Sequence, residues 1–190
     1  MKNPKLKVLA GTLFLFSFFI HMGCFGEDSH EDLLTIAVSQ DKIKDVRSLL
    51  ADGAVVEGSG IVPQTPLMIA AFRGNIAIAR LLLASGADPN RITQHGESAL
   101  YYAAFNGHQD IVRELLNQPG SSDLVNRKHA IFLSTPLSVA VPTGHPALAK
   151  MLIEAGADPN IPNRIGKTVF DHCRQNKDNE ACSVIDAINK

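Results

Sequence analysis

The stretch TPLMIAAFRGNIAIARLLLASGADPN, Thr65–Asn90, holds two short apolar blocks parted by Arg-Gly-Asn and closed by a turn-forming string. Thr65 offers a capping hydroxyl, and Pro66 suits the first helical position, where a missing N–H costs nothing. Gly74 supplies the left-handed conformation that ends this first helix. Ile76–Leu83 (IAIARLLL) reads as a second helix, stopped at Gly86. The closing pentapeptide GADPN, Gly86–Asn90, recurs letter for letter at Gly156–Asn160. Its Gly allows positive φ, its Pro holds φ at about −65°, and its Asp and Asn bond their own backbone. Two identical turns ask whether the residues between them repeat as well.

They do. The Leu that opens the first block belongs to the series Leu34, Leu67, Leu100, Leu137 and Phe170, spaced 33, 33, 37 and 33 residues apart. Ala37, Ala70, Ala103, Ala140 and Cys173 follow three places on, and Leu49, Leu82, Leu115, Leu152 and Ile185 fifteen places on. Ser98 and Thr135 repeat the cap of Thr65, with Asp32 and Thr168 in that place in the outer units. Gly107 and Gly144 repeat the turn of Gly74, and GADPN reappears in a longer, degraded form as NQPGSSDLVN, Asn117–Asn126. The period predicts units at about 31–63, 64–96, 97–133, 134–166 and 167–190. Such units cannot bury their apolar faces alone and gain stability by stacking. The predicted fold is an all-α repeat solenoid of about five stacked helix–turn–helix units with protruding β-hairpin-like loops.

This pattern resembles the ankyrin repeat. The likeness is carried by TPLMIAAFRGN (Thr65–Asn75), SALYYAAFNGH (Ser98–His108), TPLSVAVPTGH (Thr135–His145) and both GADPN strings, and it covers residues 31–190. It implies that the chain binds another protein through a concave face built from loop tips and from the outward residues of the inner helices. Mapped onto this sequence, that face comprises Phe72, Arg73, Phe105 and Asn106, with Met68 and Tyr101 at the neighbouring exposed place. Arg91, His95, Arg127 and Lys128 stand at loop tips. Phe72 and Phe105 either face a partner or pack on adjacent loops. The resemblance also implies that His108 and His145, just after the turn Gly, bond backbone at the start of the second helix.

The first 30 residues lie outside the repeat. Lys2, Lys5 and Lys7 precede a 13-residue apolar run, Val8–Ile20, which is shorter than the roughly 20 residues that span a membrane. A basic start and a short apolar core fit an export signal over residues 1–23, followed by a linker at 24–30. Gly23-Cys24 resembles the lipobox of bacterial lipoproteins, although His21 and Met22 depart from it. Lipidation at Cys24 and simple cleavage after Gly23 or Gly26 both remain open. A cell-envelope protein is expected, in the periplasm or anchored by lipid, with no other membrane attachment.

Composition limits the partners. The chain is 45% hydrophobic and 19% charged, enough to build a core. Without the three lysines of residues 1–23, 15 basic residues face 19 acidic ones, a net charge of −4. No basic run follows residue seven, so no phosphate-tracking surface and no nucleic-acid partner are expected. The partner expected is another protein of the envelope, bound by a monomer.

Chemistry-bearing motifs are sparse. The seven His show no metal-ligand spacing, and no nucleophile elbow or Gly-rich phosphate loop appears. No catalytic residue, metal or cofactor is expected, so the chain reads as a non-enzyme. An enzyme with a site assembled across the scaffold and a purely structural envelope component are the alternative classes. Cys173 and Cys182 lie on either side of the last turn, at Lys177. In an exported protein they form a disulfide or remain two buried thiols.

Overall fold

A computed structural model describes residues 33–58, 63–176 and 180–188. The leader, Cys24, the 24–30 linker, the Asp32 cap and the Lys177 turn lie outside the described residues.

The compact unit Asp32–Lys190 is built from helix pairs. They are α1 (Leu33–Ser39) with α2 (Ile43–Ala51), α3 (Pro66–Arg73) with α4 (Ile76–Ala84), and α5 (Ala99–Phe105) with α6 (Gln109–Leu116). After the short α7 (Ser122–Val125) come α8 (Pro136–Ala140) with α9 (Pro146–Glu154), then α10 (Val169–Gln175) with α11 (Glu180–Ile188). The inner helices α1, α3, α5 and α8 pack in series, and so do the outer helices α2, α4, α6, α9 and α11. Extended loops separate the pairs, with an isolated antiparallel bridge between Ile92 and Ser98. Among the described residues there is no longer strand.

The helices begin where the hydroxyls stand. Thr65, Ser98, Thr135 and Thr168 each accept from the backbone N–H three residues on, satisfying one of the orphan donors of a helix start. Gly74 closes α3 at φ 81°, and in unit one Asp41 takes the same left-handed role at φ 55°. Asp tolerates this conformation better than a bulkier residue does.

The periodic residues are the core. Leu34, Leu67, Leu100, Leu137, Leu82, Leu152 and Ile185 are all buried, each contributing about 1.5–3 kcal/mol relative to exposure. Ala70, Ala71, Ala103 and Ala104 have no exposed surface, and their single methyl groups let α3 and α5 approach. The register weakens at both ends, where Leu49 and Phe170 are only half-buried.

The recurrence of GADPN has a further cause in the loops. Its final Asn, or the residue in that place, ties down the following unit's turn. Asp88 N donates to Glu57 Oε1 at 2.6 Å, and Asn90 Nδ2 donates to the carbonyl of Pro119 at 2.8 Å. Asn126 donates to the Gly156 carbonyl at 2.9 Å and accepts from Asp158 N at 2.8 Å. In unit three the extra residues fold into α7, which buries Leu124 and Val125 against the stack.

The last pair is closed covalently. Cys173 of α10 and Cys182 of α11 are joined by a disulfide across Cα atoms 5.2 Å apart.

Candidate functional site

Phe72 and Phe105 occupy the C-terminal ends of α3 and α5 and are 51% and 49% exposed. Phe72 packs against Tyr102 in a T-shaped pair, ring centroids 5.9 Å apart. Half-exposed aromatics held by a neighbour retain apolar area for a partner at little cost in side-chain entropy.

Met68 and Tyr101 do not join them. Met68 is 2% exposed and Tyr101 8% exposed, which corrects their expected place on the surface. Both sit three residues after the capping hydroxyl, where a side chain turns back on the helix start. Met68 Sδ accepts from Thr65 N at 3.5 Å, a thioether in the role usually filled by Glu or Gln. Tyr101 instead spans to the next unit, its hydroxyl 2.8 Å from Ser134 Oγ. Burial pushes the Tyr101 phenol up and that of Tyr102 to about 12, so both act as neutral hydrogen-bonding groups near neutral pH. The signal that locates them is the capping-box spacing, obscured because neither is Glu or Gln.

Arg73 and Asn106 hold units together. Arg73 Nε donates to Asp41 Oδ2 at 2.9 Å, with a second short contact from Nη2. These bonds from Arg73 draw the Asp41 carboxyl below its ordinary range. Asn106 Nδ2 donates to the carbonyls of Phe72 and Tyr102 at 3.0 and 3.3 Å.

His108 also departs from expectation. Its ring makes no cap bond to its own helix. Nε2 lies 3.1 Å from the Phe72 carbonyl, one unit back, and the ring covers Gly74, where a Cβ would come within 2.5 Å of it. His145 likewise lacks a cap bond and lies over Gly107. These histidines join units, using the absence of a side chain on the preceding turn Gly.

At the loop tips, Arg91, His95, Arg127 and Lys128 are exposed as expected. Arg91 Nε stands 3.9 Å from Glu57 Oε2, and the His95 ring stacks on His129 at 6.2 Å. His129, next to Lys128 in sequence, is buried beneath the tip. Its Nδ1 accepts from Ile131 N and Phe132 N at 3.1 and 3.4 Å, which requires the neutral Nε2–H tautomer. Nε2 faces Glu97 Oε1 at 3.3 Å.

Above this pillar, sequence reading missed an apolar tip. Phe132 is 59% exposed, flanked by exposed Ile131 and Leu133. Ile165, on the next tip, is 73% exposed, and Arg164 N bonds the Phe132 carbonyl at 3.0 Å. Leu133 adopts φ 53°, whereas Gly96 and Gly166 take positive φ in the neighbouring loops. A Leu held there costs about 1–2 kcal/mol, which the loop bonds must sustain. The legible signal was the apolar run AIFL, Ala130–Leu133, inside an otherwise polar loop.

His172 of α10 also lines the inner side, and its shielded Nε2 has no hydrogen-bond partner. An unpaired buried nitrogen costs about 1–3 kcal/mol. Among the described residues, no group of three or more His, Cys, Asp or Glu is placed to hold a metal.

Stacked helix pairs joined by hairpin loops, with aromatic side chains on one face, define a repeat scaffold that presents a surface and not an enclosed pocket. The chain belongs to the ankyrin-repeat family: the family model described as "Ankyrin repeats (3 copies)" matches residues 34–128 and 67–163. The "Ankyrin repeat and KH domain-containing protein mask-1" of Caenorhabditis elegans is 36% identical over 137 residues, 71% of this chain. The match spans 5% of that much longer protein, so it speaks for the repeats alone. Ankyrin repeats are generally protein–protein interaction modules and typically non-catalytic.

Proposed function

We propose that this chain is a non-enzymatic binding module of the bacterial cell envelope, which holds another envelope protein on its inner face and loop tips. The observation that carries the reading is the exposed apolar series Phe72, Phe105, Phe132 and Ile165. Large apolar side chains exposed on rigid supports are what interfaces use as anchors. The basic start, short apolar run and Gly23-Cys24 support export and a lipid anchor, and the chain is read as a monomer that scaffolds, protects or inhibits its partner.

The test is the double variant Phe72→Ala/Phe105→Ala. Both rings are half-exposed, so stability falls by no more than about 1 kcal/mol, read by urea unfolding. Capture of the partner weakens by about 2 kcal/mol, roughly thirtyfold. Unfolding of the variant would place the rings in the core, and undiminished capture would remove them from the interface.

A further inference from the structure

The inner layer opens between units four and five. Pro142 stands where Phe72 and Phe105 stand in the earlier units. It lacks an N–H, and its ring conflicts with the carbonyl four residues back, so α8 ends at Ala140. Thr143 Oγ1 donates to the freed carbonyls of Val139 and Ala140 at 3.2 and 2.8 Å. Packing that runs from α1 to α3, α5 and α8 thins between α8 and α10, while α9 and α11 remain closely packed. A cleft of about 260 Å³ results, with Pro142, Ile165, Lys167, Val169, His172 and Gln175 among its lining residues.

We propose that this cleft receives an acidic side chain of an extended polypeptide partner, whose neighbouring apolar residue lies across Ile165 and Phe132. The inference rests on the protein-binding reading above and names the chemistry of the bound segment. At about 260 Å³ the cleft is smaller than the roughly 300–1,000 Å³ of metabolite pockets and suits one or two side chains. Its charge selects an anion. Lys167 lines it and donates to the neutral Gln175 Oε1 at 3.1 Å, with no carboxylate as its partner there. Arg127, Lys128 and Arg164 stand exposed on the two adjoining tips, and residues 127–134 and 161–167 contain no acid.

The acid nearest in sequence, Asp171, is already committed. It accepts from Thr168 N and Oγ1 at 2.9 Å each and from Arg174 Nη1 at 3.2 Å. His172 also lines the cleft, and its shielded Nε2 has no hydrogen-bond partner. Exposed Ile165 and Phe132 lie side by side through the Arg164–Phe132 backbone bond, and they provide the apolar half of the contact. A recess of this kind takes a side chain, whereas a lipid surface presses only on protrusions.

The experiment places a photo-crosslinking phenylalanine analogue at position 165, and separately at 72, in the full chain within its own cells. Crosslinked partner peptides are then sequenced by mass spectrometry. Adducts at 165 carrying Asp or Glu beside the crosslinked residue support the proposal; adducts there without carboxylates, or with lipid, overturn it. Protein adducts at 72 alone overturn it while leaving the protein-binding reading intact, and adducts at neither position overturn both. With the segment identified, Lys167→Gln weakens its binding roughly tenfold and Lys167→Arg restores most of it. Circular dichroism unchanged from wild type accompanies that loss, and undiminished binding by Lys167→Gln overturns the role of the cation.

Discussion

Units two and three meet differently from units four and five, although both junctions begin from the same helix pair. Between α3 and α5, the Ala methyl groups, the His108 ring over Gly74 and the Asn106 bond to Phe72 join the inner helices closely, and the recess of that junction lies at the Gly74 and Gly107 turns instead. Between α8 and α10, Pro142 shortens one helix and leaves a recess. The disulfide of the last pair links α10 to α11 and adds nothing to the contact with α8. The inner helices are thus joined unevenly along one chain: those of the middle units are tied closely together, and those of the last two leave a recess between them.

The largest test of the comparison concerns the same histidine-over-glycine contact where it recurs, between units three and four. Gly107→Ala introduces a Cβ against the His145 ring at φ 76°, whereas Gly156→Ala meets nothing within 4 Å at φ 92°. Both incur the left-handed penalty of about 1–2 kcal/mol, and only the first also displaces a packed ring. Expected losses in urea unfolding are about 3 kcal/mol for Gly107→Ala and about 1 for Gly156→Ala. Equal losses would mean that the histidines do not join units.

Removing the covalent closure ranks next. Cys173→Ser/Cys182→Ser opens a short loop, for which about 2–3 kcal/mol is expected. Hydrogen exchange should quicken in α10 and α11 and hardly change in α3–α6, because repeats communicate chiefly with their neighbours. Uniform quickening would show instead that the stack unfolds as one block.

Pro142→Ala addresses the recess itself. Letting α8 continue should add helical signal in circular dichroism and about 1 kcal/mol of stability. A loss of stability would show that Pro142 fits a backbone conformation that Ala cannot hold as well.

The smallest effect concerns unit one. Asp41 has its pKa drawn below its unfolded value by the bonds from Arg73, so its contribution is present above about pH 4 and fades as pH falls through the lower folded value. The pair is mostly exposed, which limits it to under about 1 kcal/mol. A loss of protection in α1 and α2 between neutral pH and pH 3, measured against the intrinsic exchange rate at each pH and absent in Asp41→Asn, is the outcome that supports it.

Much of the fold was legible because caps and turn glycines act locally: Thr65, Ser98, Thr135 and Thr168 start helices wherever they occur. The candidate face was legible only in part. Phe72 and Phe105 lie at helix ends, where direction follows from position. Met68 and Tyr101 were misplaced because burial depends on what a side chain finds across the helix start, Thr65 N for one and Ser134 for the other. His108 bonds a carbonyl 36 residues back, a partner that no local pattern names. The recess was invisible in the sequence for the same reason: Pro142 announces a broken helix and says nothing of whether a neighbour will fill the gap.

The Cys173–Cys182 link also gives the stack a direction. In a linear array, melting starts at an end, because an end unit has only one neighbour to release. At one end the helices cannot part while the sulfurs are joined. At the other, noncovalent contacts such as the Arg73–Asp41 bridge secure the first pair. Thermal fraying and protease trimming should therefore run from Leu33 inward, and the units that carry Phe132 and Ile165 would be the last to go.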